Sequence, residues 1–148
     1  MKIFQKLSHF FKTRNMITDQ FVTYEVAKLA KEKGFDEPTL CAYDEEGKTL
    51  ARMRYCVKRN SRTEGLMTLA APTQGLLQRW LREEKGLHIN IDYNHPNKSW
   101  TPTIIRMCCI PTRNTPYRLD LPSSSSYEVA FEKALIYALN MLPSRETS

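Results

Sequence analysis

The sequence contains little of the material from which enzymes build their commonest sites. It has only five glycines and three histidines, and it carries no G-x-x-x-x-G-K-[ST] phosphate loop, no G-x-G-x-x-G turn and no G-x-S-x-G elbow. None of its cysteines forms a C-x-x-C pair, the spacing typical of zinc and thiol redox sites. The sequence therefore predicts a protein that is not an enzyme and that binds no metal or cofactor.

Long apolar runs and disulfide-type cysteine spacing are missing as well. A membrane span needs roughly 20 apolar residues, and the nearest candidate, residues 127–142, is shorter and carries three charged side chains. The cysteines are better explained as small apolar residues with reduced thiols. We expect a cytoplasmic protein without a membrane span. The four cysteines are Cys41, Cys56, Cys108 and Cys109.

The positive charge is concentrated at the start of the chain. The formal net charge is +6, and residues 1–15 supply +4 of it, with four bases and no acid. The larger apolar side chains of this segment share one helical face, which is typical of a stretch that lies on a membrane surface or on a partner. We predict a disordered or amphipathic tail over 1–15, with Met16 as an alternative start. A single domain is predicted over 16–142 and a disordered end over 143–148.

A repeated motif predicts two of three helices. Thr23-Tyr24-Glu25-Val26-Ala27 recurs as Ser126-Tyr127-Glu128-Val129-Ala130, and each copy places a hydroxyl residue before an apolar helical run. We predict helices over 23–33 and 127–142, and a third over 74–85 that follows Thr73. Gly34 and Gly86 are expected to end the first and the third of these helices, because glycine accepts the left-handed conformation.

Alternating apolar and polar residues predict the strands. The expected strands are 39–43, 50–57, 66–70, 87–93 and 103–109, with Pro102 at a strand entrance rather than inside a strand. Hairpin-type turns between them imply antiparallel pairing. The predicted fold is an α+β two-layer sandwich, in which an antiparallel sheet of four to five strands packs on three helices in the order α-β-β-(β)-α-β-β-α.

A basic hairpin and loop form the candidate nucleic-acid site. Side chains two residues apart on a strand project from one face, and such a row of bases can follow phosphates. The competing interpretation is a solvated face, since the acidic turn at 44–46 is adjacent and no aromatic residue is interleaved to stack a base. The candidate residues are Arg52, Arg54, Lys58, Arg59 and Arg62.

Two further groups of residues are candidates for a site. Trp100, beside Pro102, is predicted to be partly exposed and to act as an interaction anchor, whereas Trp80 fits the buried stripe of the helix over 74–85. His88, Asp92 and His95 are possible metal ligands, but recurring ligand spacings are absent. We interpret these three as polar surface residues.

Three stretches carry a resemblance to a known group of proteins: residues 27–38 (AKLAKEKGFDEP), residues 71–89, and the helical positions 127–139. They resemble small uncharacterised proteins of phages, prophages and other mobile elements of Bacteroides-type gut bacteria. The resemblance implies a cytoplasmic, phage-related context and transfers no functional residues. Our hypothesis is an accessory or regulatory binding module whose partner is a host or phage protein. The alternatives are nucleic-acid backbone binding and a small enzyme, and the oligomeric state is open.

Overall fold

The computed structural model describes residues 20–57, 67–107 and 117–144, and it confirms the α+β class with three helices and antiparallel strands. The predicted tail over 1–15 lies outside the described residues. The helices are α1 (Tyr24–Glu32), α2 (Gln74–Lys85) and α3 (Tyr127–Asn140). The strands are β1 (Thr39–Asp44), β2 (Leu50–Val57), β3 (Met67–Ala71), β4 (Leu87–Asn94), β5 (Ser99–Arg106) and β6 (Tyr117–Asp120).

The described strands form two antiparallel sheets of three, in the orders β2-β1-β3 and β4-β5-β6. The prediction of one sheet with four to five strands is not confirmed. Alternation of apolar and polar residues shows that a strand has a buried face, but it carries no information on which strand becomes its neighbour. Strand β6 was also missed, because its four residues lie in a stretch whose prolines favour a connection.

Pro102 lies within β5 instead of at its entrance, because the strand begins at Ser99 and not at Thr103. The Pro102 carbonyl accepts a hydrogen bond from the Leu121 N–H at 2.9 Å. The backbone of Pro102 therefore points away from β4. A proline at this position leaves the hydrogen bonds between β4 and β5 complete.

The helix ends follow the predicted chemistry. The hydroxyl oxygen of Thr23 accepts from the Val26 N–H, that of Thr73 from the Leu76 N–H and that of Ser126 from the Val129 N–H, over 3.2–3.5 Å. Gly86 ends α2 with a φ of 65°, a conformation that costs glycine nothing. The three hydroxyl caps and the glycine end of α2 are confirmed.

Helix α3 lies at the centre of the molecule. It packs on β4 and β5 and contacts both other helices, while α1 packs on β3 and α2 on β4. Trp80 is 5% exposed and meets Phe35 edge-on at 5.5 Å, so it belongs to the core as predicted. Within the described ranges, no helix has the length and apolar character that crossing a bilayer requires. Fully buried core side chains include Val26, Leu77, Leu81, Ile104, Leu135 and Leu139.

One carboxylate joins the three helices. Glu132 of α3 accepts a hydrogen bond from the Thr23 N–H at 2.8 Å and another from the buried Gln74 amide at 2.9 Å. Both donors lie at helix N-termini, where a negative charge is favourable. The Tyr43 hydroxyl, which donates to the Val22 carbonyl at 2.7 Å, is near this charge. Burial, and then the charge of Glu132, raise the pKa of Tyr43.

Candidate functional site

The candidate site starts from the register of β4 and β5. Residues two apart on a strand share a face, so Ile89, Ile91 and Tyr93 lie on the side of β4 that faces α3. Their partners on β5 are Ile104, Pro102 and Trp100 respectively. Burial falls along this row, since Ile89 is 2% exposed and Tyr93 is 48% exposed. The apolar face of the sheet thus extends beyond the helix that covers it.

Aromatic rings continue this face onto the start of α3. The Tyr93 and Trp100 ring centroids are 4.7 Å apart, Trp100 meets Tyr127 edge-on at 5.2 Å, and Tyr127 meets Phe131 at 5.8 Å. We call these four residues the aromatic ladder. Its inner end, Phe131, is 5% exposed, whereas Tyr127 is 40% exposed. The ladder therefore runs from the buried core to the surface without a break.

Backbone hydrogen bonds hold the ladder in place. The Trp100 N–H donates to the Ser124 carbonyl at 2.7 Å, and the Ser124 N–H returns a bond to the Trp100 carbonyl at 2.8 Å. The Ser126 cap then makes Tyr127 the first residue of α3. The Trp100 ring is thus positioned by paired strands and the Tyr127 ring by the start of a helix. Because neither ring stands on a mobile loop, little conformational entropy remains to be lost when a partner binds.

The packing of the rings limits what the ladder can bind. Rings about 5 Å apart in tilted or edge-to-face contact are already in van der Waals contact, so no slot for a flat ligand lies between them. They form a continuous ridge with apolar faces and phenolic edges. Exposed tyrosine and tryptophan side chains supported from a core are typical of protein interaction hot spots.

Trp100 was predicted as an anchor, and the structure places it half-buried in the middle of the ladder. Its role as an anchor stays a prediction. Sequence reasoning did not single out Tyr93 or Tyr127. A signal existed for both, because Tyr93 continues the alternation of β4 and Tyr127 follows a hydroxyl cap, but which rings meet depends on long-range packing.

The structure describes only part of the predicted basic site. Arg52 is exposed on β2 opposite Cys41 of β1, and Arg54 lies two residues further along the same strand. Lys58, Arg59 and Arg62 lie outside the described residues. In the neighbouring turn Lys48 pairs with Glu46 at 2.7 Å. Binding of nucleic acid by the basic residues stays a prediction.

The possible metal ligands do not converge. The side chains of His88 and Asp92 lie on the face of β4 opposite the ladder, while His95 is in the turn after β4 and contacts the Tyr93 ring at 6.4 Å. The Nδ1 atom of His88 is buried and has no hydrogen-bond partner among the described residues. Across residues 20–57, 67–107 and 117–144, no three His, Cys, Asp or Glu side chains are grouped so as to hold a metal ion.

Two surface depressions lie away from the ladder, with volumes of about 170 and 290 Å³. In the first, Arg79 pairs with Glu83 at 3.1 Å across one exposed helical turn, and the other charged residues of the lining are acidic. Neither depression includes a residue of the predicted sites. Their linings are Glu37, Leu76, Arg79, Trp80, Glu83 and Glu84 for the first, and Glu25, Lys28, Leu29, Glu32 and Ile136 for the second.

Comparisons of the chain with protein-family models, with curated proteins and with solved structures find no match. A function for this chain has therefore to be inferred from the geometry of its described residues and from the chemistry of its sequence.

Proposed function

We propose that the protein is a non-enzymatic binding module of a mobile genetic element, and that it engages a host or phage protein in the cytoplasm through the aromatic ladder. The mobile-element context comes from the resemblance in residues 27–38, 71–89 and 127–139. The binding role is supported by the ladder itself, the observation on which the proposal depends.

The energetic argument starts from the exposed rings. Tyr93 and Tyr127 are 48% and 40% exposed, and each can bury further apolar area on a partner at about 25 cal/mol per Å². Their positions are fixed by β4 and by the start of α3, so this area is available without reordering the chain. Rings with an apolar face and a solvated hydroxyl group at one edge suit a protein partner.

The electrostatics of the described carboxylates are consistent with structural roles. A hydrogen bond from Arg118, and then one from Thr103, lower the pKa of Asp120. A hydrogen bond from the Ser126 hydroxyl lowers the pKa of Glu128. Both carboxylates are therefore engaged in hydrogen bonds with groups of their own chain.

The experiment is a comparative capture from lysate. The full chain, immobilised at one end, is exposed to lysate of a Bacteroides-type gut bacterium at about 0.5 M salt, where surface charge attraction is largely screened. We expect a defined protein to be retained by the wild type and to be lost with the double variant Tyr93→Ser and Tyr127→Ser. The matched control is Tyr137→Ser, which removes a tyrosine that is 50% exposed on α3 and lies outside the ladder.

Retention of the same protein by the double variant would contradict the proposal. Equal loss with Tyr137→Ser would do so too, because the contact would then not be specific to the ladder. Circular dichroism of each variant shows that the fold is retained before the capture is compared.

Nucleic-acid backbone binding through Arg52, Arg54, Lys58, Arg59 and Arg62 is the alternative. The exposed position of Arg52 favours it. Its signature is binding of a DNA or RNA duplex that weakens steeply with salt and is lost on reversing the charges of Arg52 and Arg54. Capture that survives high salt and depends on the tyrosines would instead favour the ladder.

A further inference from the structure

Strand β4 is an outer strand of its sheet among the described strands. Which of its residues direct their backbone N–H and C=O groups toward β5, and which direct them away, can be assigned. In an antiparallel pair, successive residues direct their N–H and C=O groups alternately toward the partner strand and away from it. The Met107 N–H donates to the Gly86 carbonyl at 2.8 Å, so even-numbered positions of β4 face β5. Ile89, Ile91 and Tyr93 therefore direct their backbone groups to the open edge.

Among the described residues, only the first part of this edge has a hydrogen-bond partner. The Gln78 side chain of α2 donates to the Ile89 carbonyl at 2.7 Å. For Ile91 and Tyr93, the described residues provide no hydrogen-bond partner outside the pairing of β4 with β5. Two outward N–H groups and two outward carbonyls therefore lie side by side without a partner among the described residues.

Three of the usual protections of an edge strand are missing here. Natural sheets guard their edges with lysine, proline or a bulge. The segment from Ile91 to Asn94 contains neither lysine nor proline, and its pairing with β5 shows no register shift. Peptide-binding domains use an exposed sheet edge of this kind for strand addition.

The two faces of the edge define the chemistry of its occupant. On one face, the half-buried Ile91 and the exposed Tyr93 offer apolar contact continuous with the ladder. On the other face, Asp92 is exposed and carries a carboxylate whose described contact is the Asn90 amide at 3.0 Å. A strand added here would place alternate side chains against the apolar face and against this negative charge.

We propose that the open edge of β4 at Ile91 and Tyr93 binds an extended peptide segment of the partner, in which apolar residues alternate with lysine or arginine. The segment adds a fourth strand to the sheet and lays its apolar side chains on Tyr93. This inference rests on the proposed function, because it specifies how the partner uses the ladder.

A peptide selection tests the inference directly. Random peptides of about 12 residues, displayed on phage, are selected on the immobilised full chain, and enriched sequences are synthesised and titrated by fluorescence polarisation. We expect the enriched peptides to alternate apolar and basic residues. In the saturated complex, hydrogen exchange followed by NMR should slow at least about tenfold at the Ile91 and Tyr93 amides, because each gains a hydrogen bond.

A matched pair of variants separates the edge from the ladder. Ile91→Pro removes the outward N–H but no hydrogen bond to β5, and we expect it to weaken peptide binding by at least about tenfold. Ile91→Val keeps the N–H and a branched side chain, and its affinity should stay within about twofold of the wild type. Should the proline variant fail to fold, exchange at the Ile91 and Tyr93 amides of the wild type still decides the question.

The outcomes distinguish this inference from the proposed function. Peptide binding that is lost with Tyr93→Ser but kept with Ile91→Pro, while both amides of the peptide-bound wild type still exchange fast, would overturn strand addition and leave ladder binding intact. A selection that enriches no peptide would overturn strand addition as well. Protection of the two amides that depends on protein concentration alone would assign the edge to a second copy of the chain instead of a partner peptide.

Discussion

Tyr24 and Tyr127 occupy the same place in the same five-residue motif, yet they differ in what covers them. Each is the first residue of its helix, and each meets an aromatic ring from a strand edge-on, Tyr43 at 5.6 Å and Trp100 at 5.2 Å. The turn between β1 and β2 closes over Tyr24, whose hydroxyl donates to the Glu45 carbonyl at 3.2 Å. Tyr127 stays 40% exposed.

This difference separates the structural role of the motif from the interaction role that we propose for its second copy. A tyrosine after a hydroxyl cap anchors the start of a helix against a neighbouring strand in both cases. Only at Tyr127 is the far side of the ring left for another molecule. The ladder is therefore not a requirement of helix formation, and the comparison makes it testable by changes that affect one tyrosine and not the other.

The largest expected effect is at the turn that covers Tyr24. Gly47 has a φ of 70°, and a Cβ there would lie 2.5 Å from the Tyr24 ring. Gly47→Val should lower the free energy of unfolding by about 3 kcal/mol, from backbone strain and displacement of the ring. Urea denaturation measures the change. Gly75→Ala, at a helical position with open space around it, is the control and should stabilise by about 0.5–1 kcal/mol.

Removing each tyrosine tests the comparison itself. Tyr24→Ala should cost about 2 kcal/mol, because it removes a ring packed between Tyr43 and the turn and a hydrogen bond to Glu45. Tyr127→Ala should cost less than about 1 kcal/mol, since much of that ring is already in water. Thermal unfolding of the two variants in one buffer provides the measurement. Equal losses would show that Tyr127 is a structural residue like Tyr24.

A smaller effect is expected at Tyr43, the ring partner of Tyr24. Tyr43→Phe should cost about 1 kcal/mol through loss of the hydrogen bond to the Val22 carbonyl. The raised pKa of Tyr43 means that its contribution to stability is present below pH 10.0 and is lost as the pH rises through the folded value. The variant should therefore lose less stability than the wild type above that pH. Urea titrations at about pH 8 and above pH 10.0 compare the two; parallel losses would show that ionisation of Tyr43 does not matter.

The smallest effect concerns the residue that follows Tyr127. The Ser126 hydroxyl donates to the Glu128 carboxylate at 2.7 Å and lowers its pKa from the ordinary value of 4.5. Stability from this bond is present above pH 4.5 and is lost as the pH falls through the lower, folded value. Glu128→Gln should therefore show a slightly flatter acid limb than the wild type in denaturant titrations. A steeper limb would assign the opposite sign to the shift.

Local chemistry explains what the sequence could predict. Helix α2 was predicted over 74–85, and it spans Gln74–Lys85 between the Thr73 cap and Gly86. The signals that set these bounds lie within a few residues of each other, and no distant contact overrides them. Strand β4 was likewise predicted to within one residue, because its alternation has one buried side.

Contacts between residues far apart in the sequence explain what the sequence could not predict. Whether β3 and β4 belong to one sheet depends on whether their edges meet in space, and α2 lies between the two strands in the sequence. The alternation of apolar and polar residues carries no information on that choice. The candidate site also depends on contacts between residues far apart in the sequence. Trp100 was singled out by its place two residues before a proline. Its neighbours in the ladder are Tyr93 of β4 and Tyr127 of α3, and Tyr127 is 27 residues further along the chain.

The two tryptophans of this chain sit in contrasting surroundings, which provides two built-in fluorescent reporters. Trp80, sealed against Phe35 with the Lys85 ammonium 5.1 Å from its ring, should emit at short wavelength and resist quenching by iodide. Trp100, half-buried between the rings of Tyr93 and Tyr127, should emit further to the red than Trp80 and be quenched more readily. Replacing either one by phenylalanine leaves a single emitter, so occupancy of the ladder and melting of the interior can be followed separately in the same cuvette.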